Sequence, residues 1–469
     1  MKFSLAKYFG AQDMTVGNPY LNLIQFAVPL LIGNMVQQMY NTVDSIVVGR
    51  YVGDGALAAV GAAGPIVNLL LVLFMGISAG AGIMVSQYYG AKDRKLLSLT
   101  VGNSVTLTLL STVFVMVVGV LITKPLLGLL NTPADIFDMT ADYLIIFFAG
   151  FLGCAFYNMI SGILRGLGDS LMPLIFLVVA CLLNIVLDIL FVAQFGWGVA
   201  GVAWATVIAQ MVSAILCVWR LIRMTDTVDI DRKSLKLSRH ISGQVMRLGL
   251  PSGLSQMVFS MAAIVVQSLT NSFGTTVIAC SVVVMRVDGF AMMPNFTFGT
   301  AMTTYAGQNI GAGLIKRVEQ GTKDGMKIGI AVSCLLTACI LLFGRALMRL
   351  FTNTPELVDM GMHMMSIIAV GYIAMAVTQI LSGVMRGAGD TLTPMWISFI
   401  TTVVIRVPVA YGMAYLTRSA ELPNGSPDSL FWSLLISWVL GAVLTLIFYR
   451  KGRWRKMGIT GAASDVNAA

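Results

Sequence analysis

Twelve apolar stretches, each holding at least the ~20 residues needed to cross the hydrocarbon of a bilayer, follow one another between Leu21 and Phe448. A chain that alternates such stretches with polar loops folds with lipid as the solvent for most of its surface. Composition agrees: 57% of the 469 residues are hydrophobic and 11% are charged, against roughly 25% charged in soluble domains. The 47 glycines do not mark disorder, because glycine is common in membrane helices. The expected spans are 20–44, 55–88, 96–123, 136–163, 171–194 and 198–221, then 248–271, 275–307, 323–344, 358–384, 393–416 and 429–449. The expected fold is therefore an all-α polytopic membrane protein of 12 transmembrane helices.

The net charge of +9 raises the question of nucleic acid, and its distribution answers it. With the N-terminus placed inside and the loops assigned alternately, 23 of the 30 Lys and Arg fall on inside segments. Five fall outside, and Arg286 and Arg406 lie within spans. This asymmetry puts both termini in the cytoplasm and makes the basic pI a topology signal, so nucleic acid is not an expected partner. The first apolar stretch runs too long for the core of a signal peptide and has no small-residue cleavage site after it, so it is expected to remain as span 1.

The two halves repeat each other. RGLGDSLMP (Arg165–Pro173) recurs as RGAGDTLTP (Arg386–Pro394), and QYYGA (Gln87–Ala91) as QNIGA (Gln308–Ala312), each 221 residues later. NTP at Asn131–Pro133 recurs at Asn353–Pro355, and Pro29 is matched by Pro251, each 222 later. The expected plan is a cytoplasmic N-terminus (1–19), an N-lobe (20–221), a charged cytoplasmic linker (222–247), a C-lobe (248–449) and a basic tail (450–469). Six spans per unit is an even number, so both units enter from the same side and their repeat axis runs along the membrane normal. Parallel repeats of this kind belong to transporters that rock about a substrate site.

Ionisable groups at membrane depth cost ~2.5–3.5 kcal/mol on insertion scales, so each needs a partner or a task. Five are found: Asp44, Asp188, Arg286, Asp288 and Arg406. In span 1, Asn34, Gln37, Asn41 and Asp44 are spaced by three, four and three and share one helical face. In span 5, Asn184 and Asp188 are four apart; span 6 carries Thr206. At 1.5 Å per residue, Asp44 and Asp188 lie roughly 36 and 26 Å from the inner starts of their helices, and Thr206 roughly 12 Å from its outer start. All three fall in the outer half of the membrane, where they can converge within the first lobe. Two carboxylates in a low-dielectric pocket repel, so one is expected to hold a proton near neutral pH. Two carboxylates, an amide oxygen and a hydroxyl equally make a sodium site, since hard cations take oxygen ligands. Interhelical hydrogen bonding is the plainer reading, strongest for Asn34 or Gln37 taken alone.

The second lobe differs. Val409 stands at the repeat position of Asp188, and Val266 or Gln267 at that of Asp44. An Arg286–Asp288–Arg406 cluster is expected there, because unpaired buried charges are costly. Met292 and Met293 stand out among the second-lobe methionines as candidate cavity residues, because methionine surfaces suit varied apolar ligands; packing is the plainer role for most of the 30 methionines. The six cysteines lie in apolar stretches and are read as small apolar side chains, with neither zinc nor disulfide spacing. No Walker sequence, H-E-x-x-H or nucleophile elbow occurs. An enzyme and an organic cofactor are not expected, and any transport is not fuelled by ATP in this chain.

The stretches FAVPLLIGNMVQQMYNTVDSIVVGR, RGLGDSLMP, RGAGDTLTP, LLNIVLDILFV and GVAGVAWAT together resemble the multidrug and toxic compound extrusion (MATE) family over about residues 20–450. The resemblance implies two six-helix lobes in a V around a central cavity. It also implies a plasma-membrane antiporter that exports organic cations and amphiphilic drugs in exchange for H+ or Na+. One branch of that family carries an Asp–Asn–Asp–Thr cation site in the first lobe, a pattern on which Asp44, Asn184, Asp188 and Thr206 fall; Gln37 and Tyr40 match polar positions near it. A sodium-coupled, NorM-like branch instead places acids in helices 7 and 10, where PSGLSQMVFSM and YIAMAVTQIL have none. That departure shifts the expected coupling to the first lobe. A flippase for lipid-linked precursors shares the two-lobe plan and is the main alternative. An ion channel fits poorly, since no filter-like sequence is present. A monomer suffices mechanically.

Overall fold

In a computed structural model, residues 11–130, 132–349, 354–420 and 422–458 are described. Among them every regular element is helical. Ten helices are long and apolar enough to cross a membrane, and two bent pairs bring the number of spans to twelve. Spans 1 to 3 are Pro19–Tyr51, Asp54–Gly90 and Arg94–Leu129. Span 4 is the pair Ala134–Ala149 and Phe151–Gly166; span 5 is Leu171–Asp188 continued by Ile189–Gln194; span 6 is Gly198–Ile222. Spans 7 to 9 are Arg239–Ser272, Thr275–Gly311 and Ile315–Arg349. Span 10 is the pair Pro355–Ala369 and Gly371–Gly387, span 11 runs from Leu392 to Leu416 in three pieces, and span 12 is Ser429–Lys451. All twelve expected stretches are spans, and the chain is a multi-span membrane protein.

Two features of the helices lie beyond hydropathy. Span 4 bends by 51° and span 10 by 43° at their breaks. Gly150 lies at the first break and Gly371, its counterpart 221 positions on, just after the second. A Cβ on Gly150 would collide with the Val207 side chain, and one on Gly371 with the Trp438 ring. At both places a bulky neighbour fills the notch that the missing side chain leaves. The second feature is a π-helical segment in span 5 (Ile189–Gln194) and another in span 11 (Ile400–Arg406). Asp188 immediately precedes the first, and Arg406 ends the second. Widening the turn re-aims the side chains that follow, which is why such segments recur at functional positions.

The repeated RG-x-GD motif makes a corner. Gly168 and Gly389 take φ of 87° and 97°, the left-handed region open to glycine. The aspartate that follows lies two residues before the next helix and holds its first turn, Asp169 accepting from the Met172 N–H and Asp390 from the Thr393 N–H. Asp169 is buried and also pairs with Arg220 at 3.0 Å. Burial pushes the Asp169 carboxyl above the ordinary carboxylate value, against the pull of the Met172 N–H and Arg220.

The chain divides into two compact units. Of the described residues, those up to Asp13 and Val28–Gly253 form unit 1; Met14–Ala27 and those from Leu254 onward form unit 2. The first part of span 1 thus packs with the later spans, and the first part of span 7 with the earlier ones. In unit 2 the lead segment is held through the QNIGA motif. The Met14 N–H donates to Gln308 Oε1, Asn309 Nδ2 donates to the Met14 carbonyl, and Arg317 donates to the carbonyls of Met14, Val16 and Gly17. In unit 1 the segment between spans 6 and 7 is pinned to span 3. Asn103 Nδ2 donates to the carbonyls of Ser234 and Lys236, Asn103 Oδ1 accepts from the Ser238 N–H, and Thr106 donates to the Leu235 carbonyl. Span 7 then begins at Arg239, inside the stretch expected as linker. Asn131, Asn353, residues 1–10 and residues 459–469 lie outside the described residues.

Each unit has its own apolar core. Val47, Val48, Leu127, Leu144, Phe148 and Val202 anchor one in unit 1; Met364, Met365, Tyr372 and Trp438 belong to the one in unit 2. Four cysteines are buried, whereas Cys334 is exposed and Cys339 half-buried. In a membrane span the exposed apolar side is the one that meets lipid.

Candidate functional site

Within unit 1, span 5 presents Asn184 and Asp188 one turn apart, and both are fully buried. With its nitrogen turned to the carboxylate, the Asn184 amide donates to Asp188 Oδ2 at 3.1 Å and accepts from the Thr206 N–H at 3.3 Å. The Tyr40 hydroxyl of span 1 donates to Thr206 Oγ1 at 3.3 Å. Tyr40 and Thr206 are each 9% exposed, so the chain Tyr40–Thr206–Asn184–Asp188 is a nearly dry network spread over three spans. The low dielectric strengthens each of its hydrogen bonds and raises the cost of leaving any member unsatisfied.

A shallow groove with no room for even a water molecule in this conformation adjoins the network, lined by Gln37, Tyr40, Leu177, Ala180, Cys181, Ala209 and Gln210. Tyr40 belongs to both. Gln210 Oε1 is buried with no hydrogen-bond partner among the described residues, a cost that an incoming donor would relieve. Sequence reasoning missed Gln210, although it follows Thr206 by one helical turn and that spacing was the available signal. Tyr40, Gln37 and Thr206 are where the sequence expectation has them. Asn34 is exposed. The side chains of Asn41 and Asp44 lie outside the described residues, although their backbone continues the helix of span 1.

In unit 2 the expected Arg286–Asp288–Arg406 cluster is incomplete, because Arg286 stands outside it. Residues two apart on a helix point roughly 200° apart, and Arg286 is accordingly exposed with no ion pair among the described residues. Asp288 instead accepts from the Tyr372 hydroxyl at 3.0 Å. Arg406 is buried at 7% exposure, and its Nε has no hydrogen-bond partner among the described residues. Its charge acts on Asp288, but the two side chains do not approach within the 4.0 Å of an ion pair. Tyr372 is the member of this cluster that charge counting missed, because an uncharged hydroxyl carries no mark in such a count. Met292 packs within the unit 2 core and Met293 is half-buried.

No three His, Cys, Asp or Glu side chains gather among the described residues. The polar groups that do gather are amides, hydroxyls and single carboxylates buried between spans. Two repeated six-span units with such groups buried between their spans fit a transporter architecture. The MatE family model matches residues 29–190 and again 251–412, one match in each half, and the chain belongs to this family. It is similar to the probable multidrug resistance proteins YoeA and YpnP of Bacillus subtilis. Identity is 30% to YoeA over 93% of this chain and 94% of YoeA, and 31% to YpnP over 95% and 98%. Among solved structures it resembles a MATE crystallised in complex with MaL6, with a TM-score of 0.87 and 25% identity over 94% of this chain and 98% of that one.

Proposed function

We propose that this protein is a secondary active multidrug exporter of the plasma membrane that moves organic cations and amphiphilic drugs outward in exchange for H+ or Na+. The likeness to proteins named for multidrug resistance supports the substrate class. The observation that carries the coupling is the shared Tyr40, which lines the groove and bonds the Thr206–Asn184–Asp188 network. A cationic drug approaching the Tyr40 side of this network, once the groove has opened, and a cation at the carboxylates compete for one negative field. Each binding event then weakens the other, which is the thermodynamic requirement of exchange.

In this reading Asp44, Asn184, Asp188 and Thr206 hold the coupling ion. Gln37, Tyr40 and Gln210 meet the drug, with Asn34 and Asn41 further along the same helix face. Asn184 serves either ion by turning its amide: nitrogen toward a bare carboxylate, or oxygen toward a bound sodium. Both termini face the cytoplasm, and one copy suffices for the cycle.

Ethidium transport in proteoliposomes under an imposed gradient tests the reading. Uptake driven by a proton gradient without sodium, or by a sodium gradient at equal pH, names the ion. Movement indifferent to both gradients overturns antiport, and turnover of a lipid-linked precursor without dye movement favours the flippase.

A further inference from the structure

Span 12 ends at Lys451, and the chain does not simply run off into solvent. Gly452 takes a left-handed turn (φ 72°) and Arg453–Lys456 coil into a 3-10 turn. Trp454 is fully buried, stacks on Tyr449 with ring centroids 5.2 Å apart, and donates from Nε1 to the Tyr449 carbonyl at 3.0 Å. Arg455 fastens the turn to span 9 through Glu319 at 2.9 Å. The turn is therefore a fixed element at the end of a membrane span.

Positions 450–456 carry five basic residues and no acid. Two of the five are engaged: Arg455 with Glu319, and Lys451 over the Phe448 ring. Arg450, Arg453 and Lys456 are exposed and form no ion pair among the described residues. Lys316 and Lys323, on span 9 of the same unit, are exposed as well. The counterpart segment one repeat earlier, 229–235, has two aspartates, one arginine and one lysine, and there Asp229 is taken by Arg94 and Asp231 by Ser234. Charge balance at that position is thus compatible with the fold, and the tail departs from it. The positive-inside bias accounts for the sign of this charge but not for a tryptophan-anchored turn that presents three exposed cations at the end of a span.

We propose that the turn Arg450–Lys456 is a docking surface for anionic phospholipid headgroups, with Arg450, Arg453 and Lys456 as the binding side chains. A basic cluster at the end of a membrane span lies at the level of the headgroups, and each basic residue there is worth roughly fivefold in binding to an anionic surface. Three residues give a preference on the order of a hundredfold. Because Trp454 and Glu319 already hold the turn, little ordering is lost when lipid binds.

The test uses the full-length protein in detergent, titrated with phosphatidylglycerol or phosphatidylcholine, with retained lipid counted by native mass spectrometry. Wild type is expected to retain phosphatidylglycerol in preference to phosphatidylcholine, and raising NaCl from 50 to 500 mM is expected to erase the difference. The triple variant R450Q/R453Q/K456Q is expected to lose at least tenfold of the preference, while the linker variant R232Q/K233Q keeps it. The salt series on wild type stands even if the triple variant fails to fold. Equal retention of the two lipids by wild type, a preference that survives high salt, or an unchanged preference in the triple variant would overturn the proposal. So would displacement of the lipid by 10 mM inorganic phosphate, which would make the site one for small anions rather than a membrane surface.

Discussion

Asp188 has no exposed surface and takes a hydrogen bond from Asn184, so each depends on the other. Asn184→Ala removes that donor and leaves a carboxylate short of a partner inside the membrane, at ~1–3 kcal/mol or more. A lower Tm and lost efflux are expected together. Tyr40→Phe removes only the hydroxyl that links groove and network. It is expected to cost ~0.5–1.5 kcal/mol in thermal unfolding, far less than it takes to unfold the protein, and to weaken the dependence of dye transport on the ion gradient. Intact coupling in that variant would show that Tyr40 does not link drug and ion. In unit 2, Tyr372→Phe strips Asp288 of the phenolic O–H it accepts and is expected to cost ~1–3 kcal/mol in thermal unfolding. At this scale the sequence was legible where helical spacing did the work, as for Asn184 with Asp188. It misled at Arg286, where depth was read without facing.

The apolar stretches specified the spans, because crossing hydrocarbon demands length and composition and both are written in the residues. The bends and the π segments were not legible. Hydropathy records what a stretch is made of, whereas a π turn is a change of hydrogen-bond register that leaves composition untouched. Gly150 and Gly371 were readable as a repeated pair only once their bulky neighbours were seen. Gly371→Leu forces a side chain against Trp438, and overpacking of this kind costs ~1–3 kcal/mol; a Tm several degrees lower is expected. Gly64→Ala, whose Cβ would meet no atom of another packed residue within 4 Å, is expected to keep or slightly raise Tm, since alanine is the better helix former. Equal Tm for the two variants would show that the notch at the span 10 bend is not tightly filled. Asn103→Ala cuts the bonds that pin the segment between spans 6 and 7. Faster hydrogen exchange at 234–238 is expected, with span 3 itself unchanged.

For the whole molecule, the internal repeat and the basic residues of the loops announced a doubled membrane protein, and the family model matches each half once. The exchange of lead segments was not announced. Met14–Ala27 belongs to unit 2 and the start of span 7 to unit 1, and the chain changes unit within three residues of Pro29 and of Pro251. Those prolines were visible as a repeated pair, but which unit a helix packs against depends on contacts far along the chain. The proposed coupling of export through Asp44 and Asp188 is the central claim. Ethidium efflux from drug-sensitive cells, compared at matched surface expression for wild type, Asp44→Asn and Asp188→Asn, tests it most directly. Efflux by wild type and failure of both variants is the predicted result; efflux by both variants at the wild-type rate would contradict it.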